Sequence, residues 1–136
     1  FTLILFNYAF SNGDSHLKNF ALLETENGDY FLSPAYDLIN TRIHVDDADF
    51  ALDKGLFTDD FQSGAFKKTH HRNRVDFLEF GRRIGIDEKR AKRLIAPFLI
   101  KQDKVEQLVK RSFLNDTTRR AYLLDYSTKR NSLNEV

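Results

Sequence analysis

The first eleven positions place large apolar side chains on nearly every side of a helical projection. Only Thr2 and Asn7 interrupt the apolar run between Phe1 and Phe10. A helix that is apolar all round is typical of a buried position. Residues 11–14, Ser-Asn-Gly-Asp, then supply strong stop and turn chemistry. The pattern predicts a buried helix that leads into an exposed loop.

A short hairpin is predicted directly after this loop. Two apolar runs, residues 20–24 and 30–33, flank an Asn27-Gly28 pair, which is a strong signal for a tight β-turn. Pro34 cannot donate to a strand ladder, so the second strand should end there. Asp37 is therefore expected in a loop just beyond a strand end, where functional side chains are often presented.

The second half of the chain has helical periodicity. Apolar residues recur at helical spacing after Arg74, and Gly85 closes that segment. Further helices are expected over about 88–96, 102–114 and 117–130, with Pro97 bending or breaking the first of these three. The tail from residue 131 to 136 has little to bury and is expected to fray. The predicted fold class is mainly α with one small β-hairpin.

Charge is distributed unevenly along the chain. Six aspartates and one lysine lie between positions 44 and 60, which we interpret as a surface segment. Ten Lys or Arg and four acidic residues lie between positions 67 and 93. A basic stretch of this kind attracts phosphate backbones without base specificity. The alternative, which we favour, is a set of solvated helix faces in which Glu79 pairs with Arg82 and Arg83.

Composition excludes several classes of protein. The 136 residues include 13 Phe and 5 Tyr but no Cys, so disulfides and thiolate metal sites are excluded and an aromatic core is expected. The four histidines lack the paired spacing that imidazole metal sites use on a helix: these are His16, His44, His70 and His71. No apolar run approaches the ~20 residues that span a bilayer. No signal-peptide pattern is present, which favours a cytoplasmic location.

Three oxygen-bearing residues have the spacing that phosphoryl transfer requires. This reaction needs a carboxylate that orients the attacking hydroxyl and oxygen ligands that hold Mg²⁺ against the nucleotide phosphates. Asp14 and Asn19 are five residues apart, as in the catalytic loop of protein kinases, and Asp37 follows the predicted hairpin. Chance supplies about one Asp-x4-Asn pair in this composition, so the pairing with Asp37 carries the argument.

The motifs NGDSHLKNF at 12–20 and LSPAYDL at 32–38 resemble the catalytic and metal-binding segments of HipA-type serine/threonine kinases, the toxins of bacterial toxin–antitoxin systems. The resemblance implies that Asp14 is the catalytic base and that Asn19 and Asp37 bind Mg²⁺, and through it the phosphates of ATP. Such a kinase transfers the γ-phosphate of ATP to a protein hydroxyl.

One position departs from the common protein-kinase pattern. His16 stands two residues after the catalytic Asp, where many protein kinases have a lysine that contacts phosphate. The contact to the transferred phosphate is therefore assigned either to His16 or to Lys18. The resemblance in sequence motifs covers roughly residues 1–42. After residue 42 it rests on the type and order of the predicted helices.

The resemblance also implies a domain organisation within the helical C-terminal lobe of a kinase. Residues 1–42 would hold the catalytic loop, hairpin and metal segment, residues 43–66 an acidic connecting loop, and residues 67–136 a helical bundle. All three parts would form one domain. The nucleotide-phosphate loop and the strand lysine of a kinase are expected upstream in a longer polypeptide, so this chain alone is expected to be inactive.

Two other functions stay open at this stage. A small-molecule phosphotransferase of the aminoglycoside or choline kinase kind also spaces Asp and Asn by five, but it normally carries His two positions before the Asp, where Asn12 stands here. A non-catalytic module could instead dock an antitoxin or DNA. HipA-type kinases are usually encoded with a DNA-binding antitoxin, and the basic segment 67–93 is the candidate for weak or indirect DNA contact.

Each candidate residue also has a structural interpretation. Asp14 and Asp37 could cap turns, since aspartate commonly does so. Asn19 could bond local backbone, and His16 could bond a backbone carbonyl. Lys18 could face water, as most lysines do.

Overall fold

Six α-helices, one 3₁₀ helix and one antiparallel hairpin form the secondary structure of residues 1–135, the part of the chain that the computed structural model describes. The elements in chain order are α1 (Thr2–Ala9), the 3₁₀ helix (Leu17–Asn19), β1 (Leu22–Glu24), β2 (Tyr30–Leu32), α2 (Gly64–Thr69), α3 (Arg74–Arg83), α4 (Glu88–Leu99), α5 (Asp103–Arg111) and α6 (Asp116–Asn134). The mainly α fold with one hairpin is thereby confirmed.

The core forms where α1, α3, α4 and α6 meet. The buried members of this core are Leu5, Tyr8, Ala9, Phe77, Ile95 and Leu133. Three of them belong to α1, which confirms the prediction of a buried first helix. Helix α4 is central because it contacts α1, α3 and α6. Burying a large apolar side chain contributes about 1.5–3 kcal/mol, so this cluster provides most of the stabilisation that fixes α1.

The hairpin forms where the sequence predicts it. Leu22 pairs with Leu32, and Glu24 pairs with Tyr30. Gly28 has φ = +79°, a conformation that glycine adopts without a steric penalty. All six strand residues are exposed, so the hairpin contributes little to the core of the described residues.

Helix α4 departs from the expectation at its proline. It continues through Pro97 to Leu99, so the predicted break is wrong. Arg93 and Pro97 are both exposed, and the Arg93 carbonyl that loses its N–H partner can therefore bond water. The fully buried Ile95 and the partly buried Leu99 hold the last turn against the core.

The predicted fraying of the tail is also wrong for the residues that the structure describes. Helix α6 runs to Asn134, because Leu133 is fully buried in the core. The Ser132 hydroxyl donates to the Thr128 carbonyl at 3.1 Å in the same turn. Val136 lies outside the described residues. Helix α5 is shorter than predicted and ends at Arg111.

The acidic segment is only partly a surface segment. Most of its aspartates are exposed, but Phe57 is buried and Phe50 stacks on Tyr8 with ring centroids 5.5 Å apart. Asp49 forms an ion pair with Lys129 of α6, a buried lysine. The segment is thus anchored to the helices at several points.

Four of the ten basic residues between positions 67 and 93 pair with acids in the described chain: Arg72, Arg82, Arg83 and Lys92. Glu79 contacts Arg82 at 2.8 Å and Arg83 at 2.7 Å, as the sequence indicated. Lys92 contacts Glu88 at 2.6 Å. The predicted contacts of Glu79 with Arg82 and Arg83 are thereby confirmed. Within residues 1–135, no helix has both the length and the apolar character that crossing a bilayer requires.

Candidate active site

The loop after α1 is fixed by a buried amide of that helix. Asn7 interrupts an apolar run and is buried. Its Nδ2 donates to Ser15 Oγ at 2.8 Å, and its Oδ1 accepts from Asn12 Nδ2 at 2.9 Å. Sequence reasoning missed this role, although a lone amide in a buried helix does signal that a polar partner must be near.

Gly13 lies where two segments approach too closely for any side chain. A Cβ at this position would lie 2.3 Å from the Ala48 carbonyl oxygen. The Gly13 N–H donates to Thr41 Oγ1 at 2.9 Å, and the same hydroxyl donates to the Ser11 carbonyl at 3.2 Å. Thr41 therefore joins the end of the metal segment to the loop. No local pattern indicates this, because the two partners lie 28 residues apart.

Asp14 and His16 lie together on the outer face of the loop. The His16 Nε2 atom is 3.0 Å from Asp14 Oδ1, and both side chains are exposed to solvent. The 3₁₀ helix that follows leaves Lys18 exposed and turns Asn19 inward, where it is buried. The loop thus exposes Asp14, His16 and Lys18 to solvent and buries Asn19.

Asp37 is held at both its backbone and its carboxylate. Its φ of +55° is uncommon for a residue with a side chain and costs of order 1–3 kcal/mol. Asn12 Nδ2 donates to the Asp37 carbonyl at 2.9 Å, and Asn19 Nδ2 donates to Asp37 Oδ2 at 2.7 Å. The two asparagines therefore hold this aspartate in a strained conformation with its carboxylate against Asn19.

One oxygen of the Asn19–Asp37 pair has no hydrogen-bond partner within the described chain. Asn19 Oδ1 is buried and accepts no hydrogen bond. Buried polar atoms are almost always satisfied, so an orphaned acceptor beside a carboxylate is a candidate ligand position. It belongs to the same amide that contacts Asp37.

The donor set fits a magnesium ion that is shared with a phosphate. Residues 1–135 contain no group of three or more His, Cys, Asp or Glu that could hold a metal on its own. Mg²⁺ is usually bound by only one or two protein carboxylates, with substrate phosphates and water as the other ligands. The Asp37 carboxylate and Asn19 Oδ1 are the residues that could supply the protein's share.

Five candidate residues from the sequence therefore fall into two pairs and one exposed lysine. Asp14 contacts His16, and Asn19 contacts Asp37. The Lys18 carbonyl accepts from the Tyr36 hydroxyl at 2.7 Å, which ties the loop to the metal segment. Within the described chain, no hydrogen bond or ion pair joins the Lys18 ammonium group to either pair. Sequence reasoning missed the role of Tyr36, although it lies within the quoted motif.

A family model for the HipA-like C-terminal domain matches residues 1–108. The chain belongs to this family. A protein from Haemophilus influenzae named "Putative kinase" is 27% identical over 130 residues, which cover 84% of this chain and 35% of that protein. The chain thus spans about a third of the length of that relative. The match to the HipA-like domain includes both residue pairs and ends within α5.

Two buried ionisable groups lie beneath the loop of this HipA-like domain. Burial raises the pKa of the Tyr8 hydroxyl far above its ordinary value, and this hydroxyl donates to the Arg72 carbonyl at 2.5 Å. Burial lowers the pKa of Lys129, whose ammonium lies 4.6 Å from the Tyr8 ring centroid, while the pairing with Asp49 opposes that effect. Their contacts join α1 to the segment before α3, and α6 to the acidic segment.

Proposed function

We propose that this HipA-like domain is the base- and metal-binding part of an ATP-dependent serine/threonine protein kinase. The observation that carries the proposal is the buried, unpartnered Asn19 Oδ1 beside the Asp37 carboxylate. These oxygens lie at the end of the loop that exposes the carboxylate of Asp14. The name of the Haemophilus influenzae relative is consistent with this activity.

Each residue has a distinct role in the proposed reaction. Asp14 is exposed and accepts a hydrogen bond from the substrate hydroxyl, which orients its oxygen for attack on the γ-phosphate. Asn19 and Asp37 hold Mg²⁺, which when bound neutralises charge on the ATP phosphates. His16 is the nearer candidate for contact with the transferred phosphate, because it lies 3.0 Å from Asp14.

Two observations support a protein kinase over the other functions. Asn12 occupies the position where small-molecule phosphotransferases carry His, and its amide is already engaged with Asn7 and Asp37. A domain that only docks a partner would not need the Asp37 carboxylate to be held against Asn19, beside a buried oxygen without a partner. DNA contact through residues 67–93 is not part of the proposal, because Arg82 and Arg83 at the end of α3 are paired with acids.

Nucleotide titration of the complete natural protein tests the proposal. A non-hydrolysable ATP analogue is expected to bind more tightly with Mg²⁺ than without it, because the ion would link the phosphates to the oxygen ligands of the protein. Asp37→Asn should remove this dependence on Mg²⁺. Asp53→Asn, a matched change at an exposed aspartate of the acidic segment, should leave it intact. Phosphate transfer from labelled ATP to serine or threonine of a protein then tests the reaction itself.

Equal affinity with and without Mg²⁺ would contradict the metal assignment. An equal loss in Asp53→Asn and Asp37→Asn would show that the effect comes from net charge rather than from coordination. Transfer to a small molecule but to no protein would favour the alternative phosphotransferase.

A further inference from the structure

A pocket of about 160 Å³ lies beneath the loop that carries Asp14. Its apolar walls come from α1, the loop, the acidic segment and α3. The main wall residues are Ile4, Phe20, Phe50, Ala51, Leu56 and Phe80. A dry apolar cavity of about 150 Å³ binds a benzene-sized molecule. The pocket therefore has the size and lining to take one leucine- or phenylalanine-sized group.

The loop forms part of the pocket wall and also borders solvent. Ser15 and Leu17 line the pocket, whereas their neighbours Asp14 and His16 are exposed and contact each other. Ser15, which lines the pocket, is thus the direct neighbour of Asp14 in the sequence. An extended peptide advances about 3.3–3.6 Å per residue, so a side chain close in sequence to a group at Asp14 can reach the pocket.

The rim of the pocket is unusually apolar for a surface. Leu17 and Leu52 both line it and are 71% and 47% exposed. Contiguous exposed apolar residues around a cavity mark an interaction site. Contact with an apolar chain segment is therefore more favourable for this rim than contact with water.

The polar groups of the pocket are already bonded to one another. Asn7 donates to Ser15, and Asn12 donates to Asn7. Asp49 at the edge of the pocket is paired with Lys129. Few polar atoms are left to recognise a polar or charged ligand, so the pocket selects for apolar groups. The same bonds fix the walls, which makes the pocket pre-formed.

We propose that this pocket binds one apolar side chain of the protein substrate, a Leu, Ile or Phe one to three residues from the phosphorylated hydroxyl. The inference rests on the proposed function, because the hydroxyl is positioned by Asp14. It makes the pocket a specificity determinant of the kinase and Ala51 a residue that controls access to it.

Peptide kinetics with the complete natural protein test the inference. Each peptide contains one serine, with Leu, Ala or Asp placed in turn at the three positions on either side. At one position Leu is expected to raise kcat/KM at least ~10-fold over Ala, the discrimination that an apolar pocket gives. Ala51→Phe fills the pocket and should reduce this ratio to near one. Ala121→Phe, the same change at an exposed site on α6, should leave it unchanged.

Three results would overturn the inference. The first is the absence of a preference at every position while the wild-type protein still phosphorylates peptides. The second is a preference that survives in both Ala51→Phe and the smaller replacement Ala51→Leu. The third is a large fall in Tm in both Ala51 variants with the preference unchanged, which would assign the pocket to the protein's own core.

A separate readout distinguishes these results from failure of the proposed function. Mg²⁺-dependent binding of the ATP analogue is measured for every variant and is expected to be unchanged. Loss of that binding in the wild-type protein, with no transfer to any peptide, would contradict the kinase assignment and the pocket assignment together.

Discussion

Two clusters of very similar residues occur in this domain and differ in how completely their oxygens are bonded. The buried cluster consists of Ser63, Arg72, Asn73 and Asp76, and the loop cluster consists of Asp14, His16, Asn19 and Asp37. The buried cluster surrounds Asp76, which is fully buried at the start of α3. Asp76 Oδ1 accepts from Arg72 at 3.3 Å and from the Ser63 N–H at 3.3 Å. Its Oδ2 accepts from the Asn73 N–H at 3.0 Å and from the Ser63 hydroxyl at 3.2 Å.

The loop cluster leaves oxygens available. Asp14 and Asp37 are exposed, and Asn19 Oδ1 has no partner in the described chain. The hydrogen bonds of the loop cluster fix the positions of its side chains, but they leave some of its acceptor oxygens without a donor. Both clusters combine aspartate with a nearby asparagine, so residue type does not separate them. The number of acceptors that already have a donor does separate them: it indicates a structural role for the buried cluster, and it is the basis for the ligand binding that we propose for the loop cluster.

The largest expected effect is on activity, at Asp14. Asp14→Asn in the complete natural protein should lower the rate of phosphate transfer by about 10³-fold, because the group that orients the hydroxyl loses its charge. The free energy of unfolding should change by less than ~0.5 kcal/mol, since the side chain is exposed. Asp29→Asn, an exposed aspartate of the hairpin turn, is the matched control. Autophosphorylation at the wild-type rate with ATP and Mg²⁺ would show that the role assigned to Asp14 is wrong.

The buried cluster should give the opposite result. Asp76→Asn should lower the free energy of unfolding by about 3 kcal/mol, because Arg72 loses its buried partner and an amide nitrogen cannot accept the bonds of a carboxylate oxygen. Activity per folded molecule should be retained. Denaturant unfolding and a phosphotransfer assay measure the two quantities.

Asp87→Asn is the control for this change. Asp87 caps α4 by accepting from the Arg90 N–H, and asparagine caps helices about as well as aspartate. Suppose that Asp76→Asn lost activity per folded molecule while Asp87→Asn kept the wild-type activity. The buried cluster would then influence the loop cluster, and the two could not be treated as independent.

The sequence predicts the locally determined parts of this domain and misses the long-range ones. The apolar run of α1, the Asn27-Gly28 turn and the start of α3 at Arg74 are encoded by neighbouring residues, and all three form as expected. The ion pair of Asp49 with Lys129 joins positions 80 residues apart, and no local pattern signals it. Leu133 likewise has an ordinary polar neighbourhood in sequence, and the packing of α6 against α1, α3 and α4 buries it.

The same division applies to the candidate site. The motifs identify Asp14, Asn19 and Asp37 because kinases space such residues in a regular way. The groups that hold them in place, Thr41 and Asn7, are recognisable only once the loop and the metal segment are seen to meet. Sequence reasoning therefore finds the candidate reactive groups more readily than the residues that position them.

Thr41→Val tests how much the support of the loop cluster contributes. Valine has a similar shape but removes the acceptor for the Gly13 N–H and the donor to the Ser11 carbonyl. Stability should fall by about 1 kcal/mol, the net contribution of a typical hydrogen bond. Phosphate transfer should fall by about 10-fold, because a small displacement of a catalytic group reduces the rate strongly.

The matched control is Thr58→Val, an exposed loop threonine. Thermal unfolding and single-turnover transfer measure the two effects. A loss of stability without any loss of rate would show that the loop keeps its geometry without Thr41, and it would remove this residue from the support of the site.

The smallest expected effect concerns the exposed ion pairs of α3. Hydrogen bonds from Arg82 and Arg83 lower the pKa of Glu79 to about 2. A lowered pKa in the folded state stabilises the protein at pH values above the ordinary glutamate pKa, and the contribution disappears as the pH falls toward 2. Glu79→Gln should therefore reduce Tm slightly at pH 7 and not at all near pH 2, with the difference shrinking in high salt because exposed charges are screened. Glu26→Gln, at an exposed glutamate of the hairpin turn, should show neither effect. If Glu79→Gln reduced Tm as much as Asp76→Asn, the hydrogen bonds to a carboxylate would matter more for stability than its burial. The buried cluster and the loop cluster would then have to be compared by their hydrogen bonds and not by their burial.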